Sequence, residues 1–179
     1  MPTTAINNTI SVVITLQKMI MPKANSYRAP WIALLWSAML PGLGHFYNKD
    51  YILGITLLLL EVGVNCMANL NQGIYYAFNG YFADACSVIN YQWILFYPAI
   101  YAFSMWHAYN NAIDINANLE VVPPKQQRSR YTGAFIGFTL GLLFGTIWNY
   151  QLVIVVGLVE GVVGLVAGYY IEKYLTQNI

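Results

Sequence analysis

The sequence predicts an all-α integral membrane protein, a small helical bundle of four to five transmembrane helices whose first is short or re-entrant and whose last two form a glycine-zipper hairpin. Three observations predict it. Hydrophobic residues make up 58% of the 179 and charged residues 8%, about a third of the ~25% charge usual in a soluble domain. Apolar runs near the ~20 residues that cross a bilayer recur along the chain. Glycines return at helical spacing through the last two runs. A net charge of +1 without clustered Lys and Arg excludes nucleic acid as a partner, because neutralising phosphates needs a basic patch.

Residues 1–28 read as a polar cytoplasmic tail carrying Lys18, Lys23 and Arg28. No basic stretch precedes the short apolar run 10–16, so a cleavable signal peptide is not expected, and no lipidation motif is present. Met21-Pro22-Lys23 reads as an alternative start.

Residues 29–113 form the next unit, a helical hairpin plus a third span. Its first apolar helix has ten residues, 31–40, before Pro41, or seventeen if it survives to Tyr47. Pro41 lacks an N–H and its ring collides with the preceding turn, while Gly42 and Gly44 accept positive φ, so the helix is expected to end or kink there. His45, Phe46 and Tyr47 then offer ring bodies to the headgroup region and polar tips to water. The second run, 51–70, is long enough to span outright.

The phrase Leu40-Pro41-Gly42-Leu43-Gly44-His45-Phe46-Tyr47-Asn48 resembles that of small, mostly bacterial membrane proteins with a TM2-like hairpin, in which it runs close to Leu-Pro-Gly-Leu-Gly-Gln-Phe-Tyr-Asn-Gly. The likeness covers roughly residues 28–60, with a weaker echo at Trp106-His107-Ala108-Tyr109, where an acidic residue is more usual than His107. The resemblance implies paired helices in a membrane and no reaction.

Residues 71–90 carry Tyr75, Tyr76, Phe78, Tyr81 and Phe82 with one charge, Asp84. Such a segment is expected at the membrane interface, where aromatic rings partition. A third span from Tyr91 or Trp93 to about Ile113 follows, with Pro98 placed to bend it. Residues 114–131 read as a cytoplasmic loop, interrupted by Pro123-Pro124 and charged by Lys125, Arg128 and Arg130.

Residues 132–174 read as two helices, 132–148 and 152–171, joined by Asn149-Tyr150-Gln151. Gly133, Gly137, Gly141 and Gly145 line one face of the first; Gly157, Gly161, Gly164 and Gly168 line the second. Faces without side chains let helices approach closely, so mutual packing is expected, with an oligomerising zipper as the alternative. A Gly161→Leu variant separates these: packing within the chain predicts loss of folded monomer, a zipper between chains a stable one.

Cytoplasmic flanks are enriched in Lys and Arg, which orients the chain. Five full spans divide the basic residues five to three at best. If 31–47 instead dips into the cytoplasmic leaflet and returns at Pro41-Gly42-Leu43-Gly44, four spans remain and all eight basic residues fall inside. Backbone can re-enter in this way only where other helices cover it.

Ionisable groups within a bilayer are functional candidates, and here they are Glu61, His107 and Glu160. Glu61, Asn65 and Asn69 form one polar stripe; Tyr97, Tyr101, Ser104, His107, Asn111 and Asp114 form another. Facing each other, they would join Glu61 to His107, either as a proton or solute path or as a hydrogen-bonded lock between helices. Glu160 is placed to bond Thr146 or Thr139 on the fourth span or a third party. His45 reads as an interfacial ring, and Cys66 and Cys86 as buried free thiols, with a disulfide as the alternative.

No catalytic signature occurs, no cofactor is implied, and no His or Cys has partners at metal-ligand spacing. The expectation is a non-enzymatic, multi-pass protein of a bacterial cytoplasmic membrane, acting by self-assembly or with another membrane protein. The alternative is a small transporter or channel subunit using Glu61, His107 and Glu160.

Overall fold

The computed structural model describes residues 27–117, 119, 131–148 and 153–177; most of the tail, the loop carrying Lys125, Arg128 and Arg130, the Asn149-Tyr150-Gln151 turn and the alternative start at Met21 lie outside them. The described residues are all-helical, without strands. In chain order the helices are α1 Pro30–Met39, α2 Leu43–Asn48, α3 Tyr51–Ala68, α4 Leu70–Phe78, α5 Phe82–Val88, α6 Tyr91–Ile94, α7 Tyr97–Ala117, α8 Thr132–Trp148 and α9 Val153–Gln177.

The first apolar run does not continue to Tyr47 as one helix. Proline opens α1, where its missing N–H costs nothing, and the helix ends after ten residues at Leu40, whose backbone is extended. Gly42, at φ 101°, turns the chain and α2 runs back. Tyr47 Oη accepts the Ala29 N–H at 3.1 Å, and the Arg28 guanidinium lies 5.4 Å from the Tyr47 ring centre. Within eighteen residues the chain has returned to the level at which α1 began.

Both arms of this turn lie on α7. The Asn116 side chain accepts the Arg28 N–H at 2.8 Å and donates to the Arg28 carbonyl at 2.6 Å, while the Gly42 N–H reaches Ser104 Oγ at 3.1 Å. From residue 28 to residue 42, α1 therefore descends antiparallel to α7. Ala33 packs on Ala108 and Ala112, all three fully buried. A Cβ on Gly44 would strike the Ala33 carbonyl and Ser37 Oγ and lie 2.9 Å from Ala108 Cβ.

The α3 helix starts where α2 has returned and runs to the opposite end. It passes the turn at Gly54, stacked beneath Gly42. It reaches α7 again where Tyr97 Oη donates to Glu61 at 3.3 Å. It ends at Ala68 rather than residue 70, because Asn69 takes the left-handed conformation at φ 53° and turns α4 away. The Asn90 N–H donates to the Ala68 carbonyl, and Ala68, Leu70, Ile89 and Ile94 form a small core at this end.

Residues 71–90 thus hold two short helices, α4 and α5. The third long helix begins at Tyr97, after the single turn of α6. Pro98 stands in its first turn instead of bending it, since a residue there has no carbonyl to donate to. It continues to Ala117, past the expected limit at 113, because Asn116 is engaged with Arg28.

The α8–α9 hairpin packs backbone on backbone. A Cβ on Gly137 would strike the Gly164 carbonyl, one on Gly168 would lie 2.7 Å from the Gly133 carbonyl carbon, and one on Gly145 2.7 Å from Gly157 Cα. Gly161 instead faces the Leu142 and Phe138 side chains. The glycine faces are therefore turned toward each other within the chain. Glu172 closes the open end of α8, accepting the N–H groups of Thr132 at 3.2 Å and Gly133 at 2.9 Å.

Rings join the hairpin to the rest: Tyr131 meets Trp31, Tyr109 and Tyr169, and Trp106 Nε1 donates to Thr132 Oγ1 at 3.2 Å. Among the described helices, Tyr51–Ala68 is the one long and apolar enough to cross a membrane, with a mean hydropathy of 1.8; Pro30–Met39 and Thr132–Ile147 are apolar but shorter.

Candidate functional site

The Pro-Gly-Leu-Gly turn delivers α2 to the middle of α7 and builds a buried polar cluster there. His45 Nε2 lies 3.0 Å from His107 Nδ1, with the two rings nearly coplanar, 14° apart, and edge to edge. One ring must donate and the other accept, so the contact exists only while the accepting nitrogen carries no proton. Asn48 Nδ2 donates to the Ala108 carbonyl at 2.8 Å, and Ser104 accepts from Gly42. Asn111 Nδ2 lies 3.5 Å from Asp50 at the mouth of the cluster.

His45 is therefore not an interfacial ring: it is 0% exposed. Gly44 causes this, since its lack of a side chain lets α2 sink against α1 and α7, carrying the next residue inward. Among the described residues, three buried polar atoms here have no hydrogen-bond partner: His45 Nδ1, Ser37 Oγ and Asn48 Oδ1.

The expected Glu61–His107 pair does not form. Glu61 is buried and accepts from Asn65 at 3.3 Å and Tyr97 at 3.3 Å. Tyr97 and His107 stand ten residues apart on α7, about 15 Å at ~1.5 Å per residue. Most of each polar stripe faces inward, Asn69 and Asp114 being exposed, but α3 bonds only the Tyr97 end of the second. The returning turn takes the part with Ser104, His107 and Asn111. Asn65 and Asn69 organise the end of α3, Asn65 bonding Asn71 and Asn69 donating to the Val88 carbonyl at 3.2 Å.

Glu160 lies on α9 against Gly145. The hydroxyls of Thr139 and Thr146 bond carbonyls of their own helix, to Phe135 at 2.9 Å and Leu142 at 2.7 Å, and neither reaches Glu160. Among the described residues its carboxylate has no hydrogen-bond or ion-pair partner. Cys66 and Cys86 are free thiols, as expected, but Cys66 is exposed and Cys86 half-buried rather than both buried.

Sequence reasoning passed over Asn48, Asn116 and Glu172. Asn48 closes the Phe-Tyr-Asn phrase, and Asn116 sits one turn beyond Ala112 on the face that packs against α1. Both had a readable signal. Glu172 had none, because its partners are backbone groups forty residues away.

Chemically, two joined imidazoles can share one proton and can fasten the turn to α7. Ser104 spends its oxygen on the Gly42 N–H, and among the described residues no three His, Cys, Asp or Glu side chains gather as a metal site would need. No family model, no curated protein and no solved structure matches the chain.

Proposed function

We propose that the chain is a multi-pass protein of a bacterial cytoplasmic membrane, non-enzymatic, acting by assembly with itself or with another membrane protein. In this reading α3, α7, α8 and α9 cross the bilayer, and α1–α2 dips in and returns. The described basic residues Arg28, Lys49 and Lys173 stand at one end of the bundle and Asp84 at the other, which supports placing the first end in the cytoplasm. The outward faces are apolar, Leu140, Leu158, Val162 and Ile171 among them, as hydrocarbon requires.

The likeness to TM2-like proteins belongs to the same proposal. The resembled phrase has Gln where this chain has His45, and its echo usually has an acidic residue where this chain has His107. The two departures lie 3.0 Å apart, so one accommodates the other.

The observation that carries assembly is Glu160. It stands within a 25-residue apolar helix, beside Val159, Val162 and Val163, with no partner among the described residues. An ionisable side chain at such depth is costly unless another group bonds it. The glycine faces do not serve this purpose, since α8 and α9 use them on each other. Native mass spectrometry from mild detergent tests the reading: Glu160→Leu should release a partner or dissociate an oligomer that Glu160→Gln retains. A monomer alone in both variants and in the parent protein overturns it.

The transporter reading is supported by the burial of Glu61 but not by its separation from His107, which is half-buried. Proton or solute flux in liposomes that disappears with Glu61→Gln would favour it over assembly.

A further inference from the structure

Between α4, the start of α7 and the α8–α9 hairpin lies a cavity of about 280 Å³, walled by Leu70, Ile74, Phe78, Tyr97, Leu142 and Leu158. Two local features keep it open. Asn69, at φ 53°, swings α4 away from the axis of α3, and Gly157 leaves its wall bare, a Cβ there finding nothing nearer than Thr146 Oγ1 at 3.6 Å.

Three hydroxyls border the cavity, those of Tyr97, Tyr101 and Thr146, and the Tyr101 ring lies against Tyr97 at 4.8 Å between ring centres. Tyr97 turns its hydroxyl to Glu61, and Thr146 donates to the Leu142 carbonyl of its own helix. A buried water needs about two to four polar partners, which this wall does not offer. The space therefore suits an apolar occupant. Its rim carries Phe78, 86% exposed, and Leu158, 56% exposed, so it opens sideways onto the outer surface of the bundle.

We propose that this cavity binds one acyl chain of a membrane lipid, drawn from the leaflet opposite the basic end of the protein. The inference rests on the bilayer reading given above. Its volume stands at the lower limit of small-molecule sites, ~300 Å³, which admits a single hydrocarbon chain and leaves the headgroup outside. Among the described residues no charged side chain lines the wall, so selection acts on the chain and not on the headgroup.

The test uses the full chain reconstituted in phosphatidylcholine vesicles doped with a phosphatidylcholine bearing a photoreactive diazirine on one acyl chain, with adducts mapped by mass spectrometry. Adducts are expected on cavity residues Ile74, Tyr97 and Leu142 as well as on the outward residues Leu140 and Val162. Gly157→Leu, whose Cβ makes only ordinary contacts with Thr146 and Leu142 at 3.6 Å and beyond, should lower the cavity adducts about tenfold, equivalent to ~1.4 kcal/mol, and leave the outward ones unchanged. Ile74→Trp fills it from the other side and should do the same. Outward adducts with no cavity adducts, or cavity adducts that both substitutions leave untouched, overturn the acyl-chain site. Absence of outward adducts as well overturns the bilayer reading itself and the site with it.

Discussion

His45 and His107 share one hydrogen bond, 3.0 Å between Nε2 and Nδ1, across 62 positions of sequence. Around it α2 is pinned to α7, so a turn containing a proline and two glycines is held in a single arrangement. Replacing His107 by phenylalanine leaves a nitrogen of the fully buried His45 without its partner, at a cost of about 1–3 kcal/mol, and replacing His45 leaves one on the half-buried His107 at a smaller cost. The double variant His45→Phe/His107→Phe should cost less than the sum of the two singles. Denaturant unfolding in detergent provides the cycle, and strictly additive singles would show that the bond contributes nothing.

The two hydrogen bonds between the Asn116 side chain and the backbone of Arg28 fix the start of α1. Asn116→Ala removes both, and trypsin should then cut after Arg28 several-fold faster under native conditions. An unchanged cleavage rate would mean that the remaining ties, Trp31 packed on Tyr109 at 5.1 Å between ring centres and Tyr47 bonded to the Ala29 N–H, suffice to hold this end.

Glycines of the hairpin should differ sharply in tolerance. Gly137→Ala drives a methyl group into the Gly164 backbone and should destabilise by about 1–3 kcal/mol. Gly157→Ala meets nothing nearer than Thr146 at 3.6 Å and should be neutral, or stabilising by up to ~1 kcal/mol through reduced freedom of the unfolded chain. Equal losses at the two positions would contradict the backbone register.

The proposed orientation predicts which residues a membrane-impermeant thiol reagent reaches in sealed cells. In a Cys66→Ser/Cys86→Ser background, Asp84→Cys should be labelled and Lys49→Cys protected until the membrane is opened. Both parent residues are exposed on the protein, so protection at 49 reports the membrane and not burial. Labelling at 49 would remove the re-entrant turn from the bilayer model.

Much of this architecture was legible in the residues. The bounds of α8 follow from an uninterrupted apolar run, and the mutual packing of α8 and α9 from bare faces joined by a connection too short to separate them. The polar stripe of α7 was visible too, but its partner was not. Helical spacing shows that Ser104, His107 and Asn111 share a face, yet cannot show that α1 stops at Leu40 and sends α2 back to meet that face. The aromatic neighbours of His45 pointed to the interface, while the deciding influence was Gly44, whose missing side chain draws the whole turn inward. Glu172 was illegible for another reason: it bonds backbone N–H groups, which every sequence has.

Backbone contact along the α8–α9 seam also limits how this molecule can move. Two helices separated by side chains can slide or roll as rotamers adjust, but opposed glycines have no such give. The pair must therefore shift as one stiff stave. Any breathing of the bundle is left to its other seam, where Trp106 touches Thr132 and the Tyr131 ring leans on Trp31 and Tyr109.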